Sequence, residues 1–205
     1  LAVALASLLA LLAVPSSANS DATLTLAPSQ GPPETPVTAS GAGVPPGAAV
    51  SILWFTMEGN RVSGSGFVEV NQTIATGIAD AQGRYSIAFV APYGLGGPAH
   101  RVQAVVAGAA VAESSFVLMR DAWITPTEGP EGTLIEVRLV AGGWTQFDNN
   151  IAILWDNRFL GFACSFNSQG NISVWVQAVG GVGPHVLSIY PALYWGPSDG
   201  PTPWK

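Results

Sequence analysis

Two histidines, thirteen carboxylates, one cysteine and seven tryptophans are the side chains of this 205-residue chain that could do chemistry. His100 and His185 are the natural proton carriers near neutral pH, so an acid–base site would be sought around them first. Each follows a Gly-Pro turn, in Gly97-Pro98-Ala99-His100 and Gly183-Pro184-His185, and each precedes a strand-like run. A residue repeated at one place in two copies of a pattern is better explained as a turn or strand-start element than as half of an active site. The carboxylates are scattered, and no two sit in a setting that implies a glycosidase pair. Asp148-Asn149-Asn150 and Asp156-Asn157 are rich in oxygen and could hold calcium, but turn-forming Asx residues are the simpler account. Cys164 lies in the apolar run Phe159–Cys164 with no second cysteine in the chain, and reads as a small buried hydrophobe. No nucleophile elbow, P-loop, His-Glu-x-x-His or dinucleotide fingerprint occurs. The expectation is therefore no catalytic residue, no metal and no cofactor.

The elements that must position these residues come in two copies. Ile52-Leu53-Trp54 recurs as Ile153-Leu154-Trp155, and Gln82-Gly83-Arg84-Tyr85 recurs as Gln169-Gly170-Asn171-Ile172. Gly31-Pro32 opens the first copy as Gly129-Pro130 opens the second. Within each copy apolar residues alternate at period two in runs closed by Gly, Pro, Asn or Asp, the pattern of half-buried strands. Val50, Ile52 and Trp54 share a face, as do Ile151, Ile153 and Trp155. Tyr85, Ile87 and Phe89 are matched by Ile172, Val174 and Val176, and Ile135, Val137 and Leu139 alternate with Glu136 and Arg138. Because parity decides which side is buried, Trp54 and Trp155 are assigned to the core. Trp144 is expected to plug one end of its sandwich. Trp175 has outward parity, and Tyr194, Trp195 and Trp204 crowd a Pro/Gly-rich tail. These four are the candidate contact residues for a partner or ligand, since exposed aromatic rings stack on sugars or bury into a neighbour. The fold class predicted is all-β: two tandem immunoglobulin-like antiparallel β-sandwiches of about seven strands each, following an N-terminal hydrophobic helix.

The boundaries follow from the repeat: 1–20 a truncated signal peptide, 21–119 the first sandwich, 120–195 the second and 196–205 a tail. The first copy carries about fourteen extra residues, Met57–Asn71, where the second has a tight Asp156-Asn157 turn. They are read as a longer hairpin or loop. Leu1–Val14 is almost wholly Leu, Ala and Val, and small residues follow it, as in a secretory signal. As a helix it would reach roughly 21 Å, short of the ~30 Å hydrocarbon core. Cleavage on export is preferred over retention as a membrane anchor or as the spine of a filament subunit. The net charge of −6, with Lys205 as the sole lysine, lacks the cationic cluster that nucleic acid or an anionic membrane surface requires.

The turn sequences carry a resemblance. Pro28-Ser29-Gln30-Gly31-Pro32-Pro33-Glu34-Thr35-Pro36 with Gly41-Ala42-Gly43-Val44-Pro45-Pro46-Gly47 resembles the opening of IPT/TIG-like immunoglobulin-fold repeats of bacterial secreted and cell-surface proteins. So does Thr125-Pro126-Thr127-Glu128-Gly129-Pro130-Glu131-Gly132-Thr133 with Gly142-Gly143-Trp144. Asp80-Ala81-Gln82-Gly83 and the Gly-Pro-His turns complete it, over residues 22–119 and 122–190. After Tyr190 the second copy departs from the pattern, because Pro191 and Pro197 interrupt the expected last strand.

The resemblance implies a fold and no catalytic residues. The function expected is a non-enzymatic extracellular or cell-surface structural or adhesion module, secreted or surface-bound and bacterial in source. Alternatives are a carbohydrate-binding module using exposed tryptophans and a subunit of an extracellular filament or surface layer. Partners expected are a protein, a cell-surface glycan or a second copy of the chain. Nucleic acid is not expected, nor membrane insertion after signal cleavage.

Overall fold

A computed structural model describes residues 22–59, 67–97, 99–142, 150–164, 170–193 and 202–203. The expected N-terminal helix, Trp144, the Asp148-Asn149 oxygens, Tyr194, Trp195 and Trp204 lie outside the described residues. Among those described, every regular element is a strand. Eight fall in the first copy: β1 (Thr25–Ala27), β2 (Gln30–Gly31), β3 (Pro36–Gly41), β4 (Ala49–Gly59), β5 (Phe67–Ile78), β6 (Tyr85–Val90), β7 (His100–Val106) and β8 (Ala109–Leu118). Seven fall in the second: β9 (Asp121–Thr125), β10 (Leu134–Val140), β11 (Asn150–Trp155), β12 (Arg158–Cys164), β13 (Ile172–Gln177), β14 (Leu187–Leu193) and β15 (Thr202–Pro203).

Each copy builds two sheets, and among the described strands none of one copy pairs with one of the other. In the first, β1-β3-β6 faces β2-β8-β7-β4-β5; in the second, β13-β10-β9 faces β12-β11-β14-β15. All pairs are antiparallel except β2 with β8, which run parallel through Gln30–Val117 and Gly31–Leu118. Alternation on the facing strands fills each interior. Val50, Ile52 and Trp54 pack with Tyr85, Ile87, Phe89, Val102 and Phe116 in one core. Ile151, Ile153 and Trp155 pack with Ile135, Val137, Ile172 and Val176 in the other. The parity read from the repeat is the parity observed. The bulk of the folding free energy resides in this burial, at about 25 cal/mol per Å² of apolar surface.

The local chemistry repeats as closely as the sheets. Thr35 and Thr133 each donate their hydroxyl to the carbonyl three residues back, Pro32 O and Pro130 O, both at 2.7 Å. Both openings carry a cis X-Pro bond, Ala27-Pro28 and Thr125-Pro126. Asp156 and Asn157 sit at φ 48° and 64° and close the β11–β12 hairpin. Positive φ at both central residues suits the twist of a two-residue hairpin, and Asp and Asn tolerate it. The extra residues of the first copy extend β4 and β5 into a long ladder, paired from Ala49–Ile78 out to Gly59–Phe67. The insertion is a hairpin arm.

Three expectations are corrected. Pro191 does not interrupt its strand; it lies inside β14, opposite Ile151. Proline lacks a donor, and a strand with little pairing on one side tolerates that loss. The segment read as a tail contains β15, which pairs Thr202 and Pro203 with Leu193 and Ala192. Cys164 ends β12 half-buried, less enclosed than expected.

Candidate functional site

The strand pattern places a Trp–His stack at the same point of both copies. His100 lies 4.7 Å from Trp54, centroid to centroid, and His185 lies 5.0 Å from Trp155, each nearly parallel to its indole. The surroundings then diverge. His100 is fully buried; its Nδ1 is 2.8 Å from Phe55 O and its Nε2 is 2.7 Å from Leu95 O. Burial pushes its pKa down from 6.5, against the raising effect of the two carbonyls, and the ring props the 91–97 loop against β4. His185 is partly open to solvent. Its Nδ1 lies 2.6 Å from Asp156 Oδ2 and its Nε2 2.8 Å from Gly181 O. The Asp156 hydrogen bond, then the Gly181 carbonyl, hold its pKa above 6.5. Asp156 in turn is held below 3.8, first by the Val186 N–H and then by His185. The pair resembles the Asp–His half of a hydrolytic triad, but the nitrogen that would take a nucleophile's proton is committed to Gly181.

The two histidines are expected to titrate on opposite sides of 6.5. A raised His185 pKa means its pairing stabilises the fold fully below 6.5 and is lost as pH rises through the raised value. The lowered His100 pKa means stability is intact above 6.5 and falls as pH drops toward the depressed value. Two separate imidazole ring signals in an NMR titration, one moving below pH 6.5 and one above, would bear this out; a single shared midpoint would refute it.

The second feature is the outer face of the β13-β10-β9 sheet. Trp175 stands opposite Glu136, and Trp123 stands opposite Arg138. Outward parity leaves Trp175 63% and Trp123 40% exposed. Two strand spacings across and two residues along put their Cα atoms roughly 12 Å apart. Between them the Arg138 guanidinium lies 5.8 Å from the Trp123 ring centre and 3.4 Å from Glu136 Oε1. Glu136 also accepts from the Ser173 hydroxyl at 2.8 Å. The result is a polar centre between two indoles.

This face continues into the junction of the copies. Only two residues separate β8 from β9. The Gly96 N–H donates to Gly142 O at 2.7 Å, and the Gly142 N–H donates to Gly170 O at 2.8 Å. Ala141, at φ 55°, is buried within the first copy's core. Val140 has outward parity yet is buried, and Leu95, next to Gly96, is buried too. Beside this contact a cavity of about 340 Å³ is lined by Tyr93 from the first copy and Trp123, Arg138, Asn171 and Ser173 from the second. The Asn171 Oδ1 atom is buried there with no hydrogen-bond donor among the described residues. Burial first, and the nearby Glu34 carboxylate next, push the Tyr93 phenol up.

Of the four residues proposed from sequence, Trp175 stands where parity placed it, on the exposed face. Tyr194, Trp195 and Trp204 lie outside the described residues. Trp123 and Tyr93 were missed. Trp123 sits in a five-residue strand that begins at the boundary read between the two copies. Tyr93 sits in an irregular loop where parity has no meaning. Among the described residues no three His, Cys, Asp or Glu side chains gather as a metal site needs, and no helix is long and apolar enough to cross a membrane.

No protein-family model matches the sequence, and no curated protein matches it. Among solved structures the chain is similar to a crystal structure of a Salmonella alpha-2-macroglobulin mutant, at 10% sequence identity and a TM-score of 0.32. The similarity covers 85% of this chain and 16% of that one, so the chain spans about a sixth of that protein's length.

Proposed function

We propose that the chain is a non-enzymatic structural module, two immunoglobulin-like sandwiches of the IPT/TIG kind, acting as a spacer or adhesion element outside the cell. The observation that carries this reading is the docked junction. Two copies of one fold, joined by two residues and a Gly96–Gly142 backbone hydrogen bond, make a holder of distance and orientation. The repeated Trp–His stacks support it, because both imidazoles are tied to backbone carbonyls as struts. The hydrophobic leader Leu1–Val14 supports export. Protease treatment of intact source cells tests the location. Loss of the protein from unbroken cells, or its recovery from the medium, is expected; full protection until lysis would contradict the proposal.

A second reading rests on Trp123 and Trp175. Two indoles on one face, flanking Arg138 and Glu136, suit a glycan whose rings stack and whose hydroxyls hydrogen-bond. Trp175→Ala, an exposed change expected to leave the melting temperature unaltered, should abolish binding on a glycan array. Binding equal to the parent would remove Trp175 from any sugar site.

A further inference from the structure

We propose that Asn71 is a glycosylation site, carrying an N-linked oligosaccharide on the outer face of the β4–β5 arm. The proposal rests on the export part of the reading above, because oligosaccharide is transferred to asparagine on chains that cross a membrane. The sequence offers two acceptors of the form Asn-x-Ser/Thr, Asn71-Gln72-Thr73 and Asn171-Ile172-Ser173. So short a pattern arises often by chance, and it is the geometry that separates the two.

In the β4–β5 ladder Glu69 stands opposite Met57, Asn71 opposite Phe55 and Thr73 opposite Leu53. Trp54 points into the core, so Phe55 beside it faces outward, and Asn71 faces outward with it. Arg101 fixes the same parity independently. Its guanidinium lies 3.7 Å from the Phe55 ring centre and donates to Glu69 Oε2 at 2.8 Å. Glu69, Asn71 and Thr73 are therefore three alternate, exposed positions on one face. β5 ends its sheet, and among the described strands it pairs with β4 alone. A glycan on Asn71 displaces no packed side chain and extends directly into water.

Asn171 is placed quite differently. Its Oδ1 is buried without a donor among the described residues, and its side chain lines the junction cavity with Tyr93 and Trp123. The carbonyl of Gly170 beside it accepts from the Gly142 N–H. A bulky chain on that amide would have to force the junction open. The flanking residues sort the two acceptors the same way. Glu69 precedes Asn71 by two places, whereas Gln169 precedes Asn171. Glu-x-Asn-x-Thr is the narrower acceptor pattern of bacterial asparagine oligosaccharyltransferases.

The donor is an oligosaccharide linked to a polyprenyl pyrophosphate. Asn71 Nδ2 attacks the C1 carbon of its first sugar. An Nδ2–C1 bond forms, the C1–O bond to the pyrophosphate breaks, Nδ2 gives up one proton and the lipid pyrophosphate leaves. Transfer to the emerging chain precedes the pairing of β5 with β4, and the outward parity of Asn71 keeps the product in water once the ladder closes. A hydrophilic chain on this strand also opposes its pairing with another molecule.

The test is peptide mass mapping of the protein recovered from its source, taken separately from outside and from within the cells. Trypsin cuts after Arg61, Arg84 and Arg158, so residues 62–84 carry Asn71 and residues 159–205 carry Asn171. The 62–84 peptide should be heavier by an oligosaccharide in the parent chain and in Thr73→Ser. It should have its bare mass in Asn71→Gln and in Thr73→Ala, and the 159–205 peptide should be bare throughout. Asn71 and Thr73 are exposed, so these substitutions should leave the melting temperature of the unmodified protein unchanged. A bare 62–84 peptide in protein recovered outside the cells would overturn the proposal and leave the export reading standing. Bare protein found only inside the cells would overturn both. A glycan on the 159–205 peptide with none on 62–84 would also overturn it, since the junction would then have accepted what the arm refused.

Discussion

Trp54→Ala is expected to unfold the first sandwich selectively. The indole is fully buried and packs against His100, Phe116 and Phe89 at once, so its loss removes contacts from three strands. Truncating a buried tryptophan to alanine costs about 3–5 kcal/mol. That is a large part of the stability of a domain of this size. At about 4–8 °C per kcal/mol, the transition of the first sandwich should fall by more than roughly 10 °C. Trp155→Ala should cost less, because that ring lines a cavity and is less completely buried than Trp54. Trp54→Phe provides the control. Trp54 Nε1 has no acceptor among the described residues, so phenylalanine forfeits no hydrogen bond and should retain most of the stability. Differential scanning calorimetry of the three variants measures the order. Equal losses for Trp54→Ala and Trp155→Ala would show that the two cores are equally closed.

Gly96→Val is expected to separate the sandwiches while leaving each folded. A side chain at Gly96 would overlap the Ala141 carbonyl oxygen and lie 2.9 Å from Leu118 O, both backbone atoms with little room to yield. The same change would disturb the Gly96–Gly142 hydrogen bond, the one backbone bond drawn directly between the copies among those described. The cost should fall on the junction, at about 1–3 kcal/mol, the range of a broken packing contact. Calorimetry should then show two transitions less coupled than in the parent chain, with amide protection unchanged at Ile52 and Ile153. Loss of protection in both cores would mean that the junction is needed for folding itself.

The sequence made some of this legible and hid the rest for physical reasons. Alternation exposes which face of a strand is buried, so Trp54, Trp155 and Trp175 could be sorted before any coordinates. Repeated turns reveal the duplication, because Gly, Pro and Asx are demanded by backbone geometry at fixed points. The insertion Met57–Asn71 was visible as length, but its ladder with β4 was not, since pairing register is not written in composition. Trp123 escaped because a strand of five residues with one half-buried position offers no alternation to count. The junction was invisible for a different reason. Gly96, Ala141 and Gly142 meet through backbone atoms, and a glycine's value as an absent side chain appears only when its neighbour is known. Pro191 misled in the opposite direction, since a proline that breaks a doubly paired strand is tolerated where one side has little pairing.

The sandwich pair works as a spacer only if the two copies hold a fixed orientation. Spin labels at Gln82→Cys in the first copy and Leu134→Cys in the second, both exposed, in a Cys164→Ser background, measure that directly by electron–electron resonance. The structure predicts one narrow distance distribution for the parent chain and a broad one after Gly96→Val. A broad distribution in the parent would contradict the account, because two freely turning modules cannot hold the spacing that the proposed role requires.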